Sequence, residues 1–121
     1  MSEKQARKPY ALEERTFLFT KDVIEFVGKV PKGIANNEVA KQLVRSAGSV
    51  GANYIEANEA LSKKDFAMRI KISRKEAKET IYWLRLIQVD SEEATKKQLS
   101  LVTEASELTK IFGAIVVKTE I

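Results

Sequence analysis

Apolar residues return every three or four positions along most of this chain, in four separate runs, and that spacing constrains the fold most. The first run, from Glu13, is Phe19, Val23, Phe26 and Val30, widened by Phe17, Ile24 and Val27. The second is Ala40, Leu43, Ala47, Val50, Tyr54, Ala57 and Leu61. The third is Phe66, Ile70, Ser73, Ala77, Thr80, Leu84 and Ile87; the fourth is Ala94, Gln98, Leu101, Ala105, Leu108, Phe112 and Ile115. One face of an α-helix repeats at this spacing, so each run predicts an amphipathic helix. No stretch alternates by twos, so no strand competes.

Punctuation between the runs agrees with that reading. Pro31-Lys32-Gly33 stops the first helix, because proline lacks the N–H and glycine tolerates the reversal. Asn36 or Asn37 is expected to cap the second helix, with Glu38 near its positive end. Asn58 to Leu61 forms the next link, and Ser62 with Asp65 resembles a capping box. Ser91-Glu92-Glu93 opens the fourth helix. Ile115 to Ile121 is β-branched and expected to fray. Residues 1–12 read as a mobile arm whose Tyr10 and Leu12 dock on a domain spanning 13–121. The fold class is all-α: an antiparallel, up-down-up-down four-helix bundle, with left-handed packing near about +20° from a repeat of about 3.5 residues.

Composition narrows the function. The 121 residues make one domain, and 44% apolar with 31% charged residues suits a soluble globular chain. No apolar run approaches the ~20 residues of a membrane span and MSEKQARK is no signal peptide, so a cytoplasmic location is expected. The chain has neither cysteine nor histidine. That removes disulfides, thiolate or imidazole zinc sites, and Ser-His or Cys-His nucleophiles. No enzyme, metal or cofactor is expected. The formal charge is +4, and residues 62–90 hold eight basic against four acidic groups, so the rest of the chain sums to zero. A basic excess on one helix points toward a polyanion.

Three sets of residues stand out. Lys64, Lys71, Lys78 and Arg85 recur at one heptad position on the outer face of the third helix, with Lys75 and Tyr82 beside them. They form either a solvated face or a track for phosphates with an aromatic for stacking. Ile72, Glu76, Glu79, Trp83 and Leu86 follow one flank; they are either a broad side of the core or an oligomer contact, and the tryptophan favours the contact. Ser49, Asn53 and Glu56, joined by Arg45, form a polar stripe on the second helix, with Arg69 or Arg74 a candidate partner for Glu56. An enzymatic alternative makes Glu56, Glu76 and Glu79 acid/base or metal groups; a salt-bridge network fits three carboxylates without histidine better. Gly48-Ser49-Val50-Gly51 matches Gly-x-x-Gly, but the helical seam runs through it, so the glycines mark close helix packing rather than a nucleotide clamp.

RSAGSVGANYIEANEALSKKDF followed by KISRKEAKETIYWLRLI resembles the bacterial proteins related to those encoded in intervening sequences of 23S ribosomal RNA genes, the S23 family. The resemblance covers roughly residues 13–115. It rests on Ser49, Asn53 and Glu56, on Ser62, Asp65 and Phe66, and on Glu76 with Glu79, and Arg45, Trp83 and Leu84 also fit. It implies a four-helix bundle assembled into a ring-like homopentamer. It further implies kinship with the accessory protein of diversity-generating retroelements, which binds reverse transcriptase and nucleic acid. The chain departs at Ala57-Asn58-Glu59-Ala60, where many relatives carry glycines and a basic residue. The expected function is a non-enzymatic oligomer that binds RNA or DNA through the third-helix stripe. The alternative is a protein adaptor such as a reverse-transcriptase accessory subunit.

Overall fold

The computed structural model describes residues 9–119, which form four helices: α1 Pro9–Val27, α2 Ile34–Asn58, α3 Lys63–Leu86 and α4 Glu92–Thr119. No strand occurs among the described residues, and none of their helices is long and apolar enough to cross a membrane. The backbones approach in the order α1–α2–α3–α4, and α1 closes on α4 over a shorter stretch. The result is a packed helical bundle around one apolar core.

The seams do what their spacing demands. Leu43, Ala47, Val50, Tyr54 and Ala57 of α2 are buried, as are Ile70, Ser73, Ala77, Thr80 and Leu84 of α3. Phe19, Val23 and Phe26 from α1 and Leu101, Ala105, Leu108 and Phe112 from α4 complete the core. Tyr54 and Phe112 meet across the diagonal with ring centroids 5.7 Å apart. The two seam hydroxyls on α3 find acceptors or partners inside. Ser73 Oγ donates to the Val50 carbonyl at 2.9 Å, and Thr80 Oγ1 lies 2.9 Å from Ser46 Oγ and 2.7 Å from the Glu76 carbonyl. Buried polar groups satisfied in this way help to fix the register of α2 on α3.

Two glycines on α2 behave differently. A Cβ at Gly51 would sit 2.9 Å from Thr16 Oγ1 and 3.2 Å from Thr16 Cβ, so α1 approaches α2 closely there. At Gly48 the nearest atom would be Thr20 Cγ2 at 3.9 Å, which is ordinary contact. Close packing therefore explains Gly51 and not Gly48. Thr20 Oγ1 also bridges to α2, 3.0 Å from the Ala47 carbonyl.

Several boundaries differ from the sequence expectation. α1 begins at Pro9 and so takes in the last residues of the expected arm, where Ala11 is buried and Leu12 packs into the core. Residues 1–8 and the Tyr10 side chain lie outside the described residues. α1 ends at Val27, before the Pro31 stop, and Val30 packs into the core from the turn. α2 begins at Ile34 behind an extended Gly33, so neither Asn36 nor Asn37 is the N-cap. Asn37 Oδ1 instead accepts from the Gly33 N–H at 3.3 Å. Asn36, buried, donates from Nδ2 to the carbonyls of Pro31 (2.8 Å) and Gln88 (3.1 Å), while its Oδ1 accepts from the Gln88 N–H at 2.8 Å. One side chain thus ties the α1–α2 link to the α3–α4 link. Leu61 is fully exposed: α2 has ended at Asn58, and the helical register that would turn it inward is gone. Phe17 and Ile24 are also more than half exposed, because they sit on the outer edge of α1 beyond the core-facing stripe. α4 continues to Thr119, well into the expected frayed end; Glu120 and Ile121 lie outside the described residues.

The serine caps stand as read. Ser62 Oγ accepts from the Asp65 N–H and Ser91 Oγ from the Ala94 N–H, both at 3.0 Å. At the other end of α3, Gln98 Nε2 donates to the carbonyls of Leu84 (2.7 Å) and Ile87 (3.1 Å). These would otherwise be orphan acceptors of a helix terminus.

Candidate nucleic-acid interface

α3 is 24 residues long, or about 36 Å at ~1.5 Å per residue. Its inward face is used by Ile70, Ser73, Ala77, Thr80 and Leu84, which leaves the opposite face to water. Lys64, Lys71, Lys75, Lys78 and Arg85 are all exposed there. Members seven residues apart lie ~10.5 Å apart along the axis and drift by ~20° per heptad, so the stripe winds slowly over ~31 Å. Among the described residues, the side chains of Lys64, Lys75, Lys78 and Arg85 enter no ion pair or hydrogen bond, whereas Lys71 is engaged. Lys64 and Lys71 line a shallow depression with Met68 and, from the end of α4, Thr119. Arg74 adds a further exposed cation beside the stripe, with its Cδ only 3.7 Å from where a Gly113 side chain would begin. Arg74, a candidate partner for Glu56 from the sequence, lies toward α4 instead.

Tyr82 stands within this stripe at 56% exposure. Its ring meets the Trp83 indole edge to face, with centroids 4.9 Å apart and planes at 77°. Trp83 is itself partly buried and packs against the core, and its buried Nε1–H has no acceptor among the described residues.

The neighbouring flank is a charged seam between α2 and α3. Glu76 is buried, with 7% of its side chain exposed, and Arg45 Nη1 donates to its Oε2 at 3.0 Å. Arg45 Nη2 also donates to Glu79 Oε2. Burial works to lower the Arg45 pKa, but the hydrogen bonds to Glu76 and Glu79 outweigh it and the pKa is raised. Lower on the same seam, Asn53 Nδ2 donates to the Ser49 carbonyl (2.9 Å) and Oγ (3.0 Å), and Asn53 Oδ1 accepts from Arg69 Nη1 at 3.2 Å. The residues read from sequence as two sets, one per helix, therefore meet in a single seam. Arg45 faces the α3 carboxylates, and Arg69 pairs with Asn53 rather than Glu56. Glu56 is exposed, and among the described residues its side chain enters no hydrogen bond or ion pair. Of the five flank residues, Leu86 is 48% exposed, Ile72, Glu79 and Trp83 are half-buried, and Glu76 is held inside.

The arrangement bears on chemistry. Among the described residues no three acidic side chains gather to hold a metal ion, so Glu56, Glu76 and Glu79 do not form a joint site. One guanidinium bridges Glu76 and Glu79 and offsets one of their two charges. A second depression, between the end of α1 and the start of α4, mixes Glu25 and Glu93 with Lys29, Lys96 and Lys97 and presents no single sign of charge.

The comparisons with known proteins point one way. The family described as 23S rRNA-intervening sequence protein matches residues 10–114. Among solved structures, the chain is similar to a crystallised protein of unknown function from the S23 ribosomal protein family of Bacteroides thetaiotaomicron VPI-5482. The two are 29% identical, the match covers 86% of this chain and 96% of that one, and the TM-score is 0.73. No curated protein matches.

Proposed function

Since this chain belongs to the 23S rRNA-intervening sequence protein family, we propose that it is a non-enzymatic, oligomeric bundle module that binds RNA or DNA along the outer face of α3. One observation carries this reading. The exposed cations of α3 share one side of the helix, and four of them have no partner among the described residues. An array of point charges without counter-carboxylates gains most from a polyanion, because each neutralised phosphate releases condensed counterions. The bundle is antiparallel in this reading, in keeping with cross-helix bonds that pair Arg69 with Asn53, Ser73 with Val50 and Thr80 with Ser46.

Self-association strengthens the proposal. A ring of five copies multiplies a net charge of +4 to about +20. Of the flank residues, Glu76 is held inside, so we place the contact on Ile72, Glu79, Trp83 and Leu86, where Leu86 supplies the most exposed apolar surface and Arg45 offsets one of the two carboxylate charges.

Titration of a fluorescent oligonucleotide at rising salt tests the binding. Lys75→Gln with Lys78→Gln removes two exposed, unpaired cations and should lower the slope of log affinity against log salt by about 1.4 for a single strand or 1.8 for a duplex. An unchanged slope would remove the stripe as the site, and no binding at low salt would remove the function. An oligomer that ignores nucleic acid but captures a reverse transcriptase would have the adaptor role instead.

A further inference from the structure

We infer that the α3 stripe takes single-stranded rather than duplex nucleic acid, with Tyr82 as the platform on which an unpaired base stacks; this rests on the stripe being a nucleic-acid site at all. A helix places Lys78 one turn before Tyr82 and Arg85 one turn after it, with Lys75 a further turn back. An aromatic ring is therefore framed by cations spaced to hold the phosphates on either side of a stacked base.

Tyr82 is set up for this. The edge-to-face contact with Trp83 holds the ring's orientation yet leaves it 56% exposed, so it is braced without being covered. Trp83 in turn is anchored against the core. The ring thus loses little freedom on binding, which is what a stacking platform requires. A duplex gives such a ring nothing to do, since its base faces are already stacked and its phosphates wind away from a straight helix. A single strand offers both unstacked bases and a backbone that can follow the stripe.

The chain has a single tryptophan, next to the platform, which supplies a reporter. The probes are a deoxythymidine oligomer of about 12 nucleotides, within the range such sites cover, and a blunt duplex of equal length. Anisotropy should show tighter binding of the single strand, and that strand alone should change Trp83 emission at saturation. Tyr82→Ala should weaken single-strand binding about 5- to 150-fold, the equivalent of the ~1–3 kcal/mol of one base–aromatic stack, and leave duplex binding unchanged. Tyr82→Phe keeps the ring and should bind like the wild type, which separates stacking from disturbance of the fold. Equal affinity for both probes, or Tyr82→Ala binding the single strand as tightly as wild type, would overturn this inference while leaving the stripe in place. No binding of either probe at low salt would remove the stripe reading and this inference with it.

Discussion

Adding one methyl group at each of two α2 glycines, three residues apart, should give opposite results. Both lie within the same helix, so alanine brings each the same gain in helix propensity, about 1 kcal/mol. At Gly48 the new Cβ meets only Thr20 Cγ2 at 3.9 Å, so the gain is kept and Gly48→Ala stabilises by up to about 1 kcal/mol. At Gly51 it would fall 2.9 Å from Thr16 Oγ1 and 3.2 Å from Thr16 Cβ. Thr16 cannot swing aside, since it is buried and its hydroxyl lies 3.0 Å from the Leu12 carbonyl and 2.9 Å from that of Glu13. α1 must then shift away from α2, and overpacking of this kind costs about 1–3 kcal/mol. Gly51→Ala should therefore range from neutral to about 2 kcal/mol destabilising. The propensity terms cancel in the difference between the two variants, which isolates the clash. Urea unfolding followed by circular dichroism reads it directly. Equal midpoints for the two variants would refute the claim that α1 and α2 are in close contact at Gly51.

Other residues give further tests. Arg45→Ala strands the buried Glu76 carboxylate beside Glu79; because Arg45 is itself half exposed, the loss should be about 1–3 kcal/mol, below the full cost of breaking a buried pair. A double-mutant cycle of Arg45→Ala with Glu76→Gln should show coupling, and strict additivity would mean the bridge contributes nothing. Asn36→Ala removes one hydrogen bond to the α1–α2 link and two to the α3–α4 link and should cost about 2 kcal/mol or more in thermal or urea unfolding, with no rescue by Asn36→Asp; a loss below half of that would mean the links do not depend on it. Burial raises the Tyr54 pKa above 10.0; a hydrogen bond with Asn58 opposes this and Glu13 adds to it. The unfolded chain therefore releases this proton first, so Tyr54's contribution is full below pH 10.0 and is lost as pH rises through the raised value. Stability should fall more steeply above that pH in wild type than in Tyr54→Phe, and identical profiles would contradict the assignment.

The helices and most of their buried faces were legible because spacing alone dictates them. Ile70, Ser73, Ala77, Thr80 and Leu84 had to share one side of α3 whatever that helix packs against. The serine caps at Ser62 and Ser91 were legible for the same reason, since a cap is a local bond. What escaped was decided between elements. Arg45 reaches carboxylates 31 and 34 positions away, a choice set by the register of α2 on α3 and by no local pattern. Asn36 looked like a helix cap because asparagine is a good one; in the fold its amide meets three backbone groups from two links instead. Leu61, Phe17 and Ile24 extended the apolar runs in the sequence, yet one lies past a helix end and two lie off the core face. The basic stripe was visible at once because every member sits on one helix, whereas Arg74's place beside it required knowing that α4 offers Gly113.

Sedimentation velocity, run with and without a single-stranded oligonucleotide at low and then high salt, tests assembly and binding together. A particle several times the 13.6 kDa of one chain is expected. That particle should gain mass with the oligonucleotide at low salt and lose it again at high salt. A species of 13.6 kDa whose sedimentation the oligonucleotide does not change would contradict both the proposed assembly and the proposed ligand.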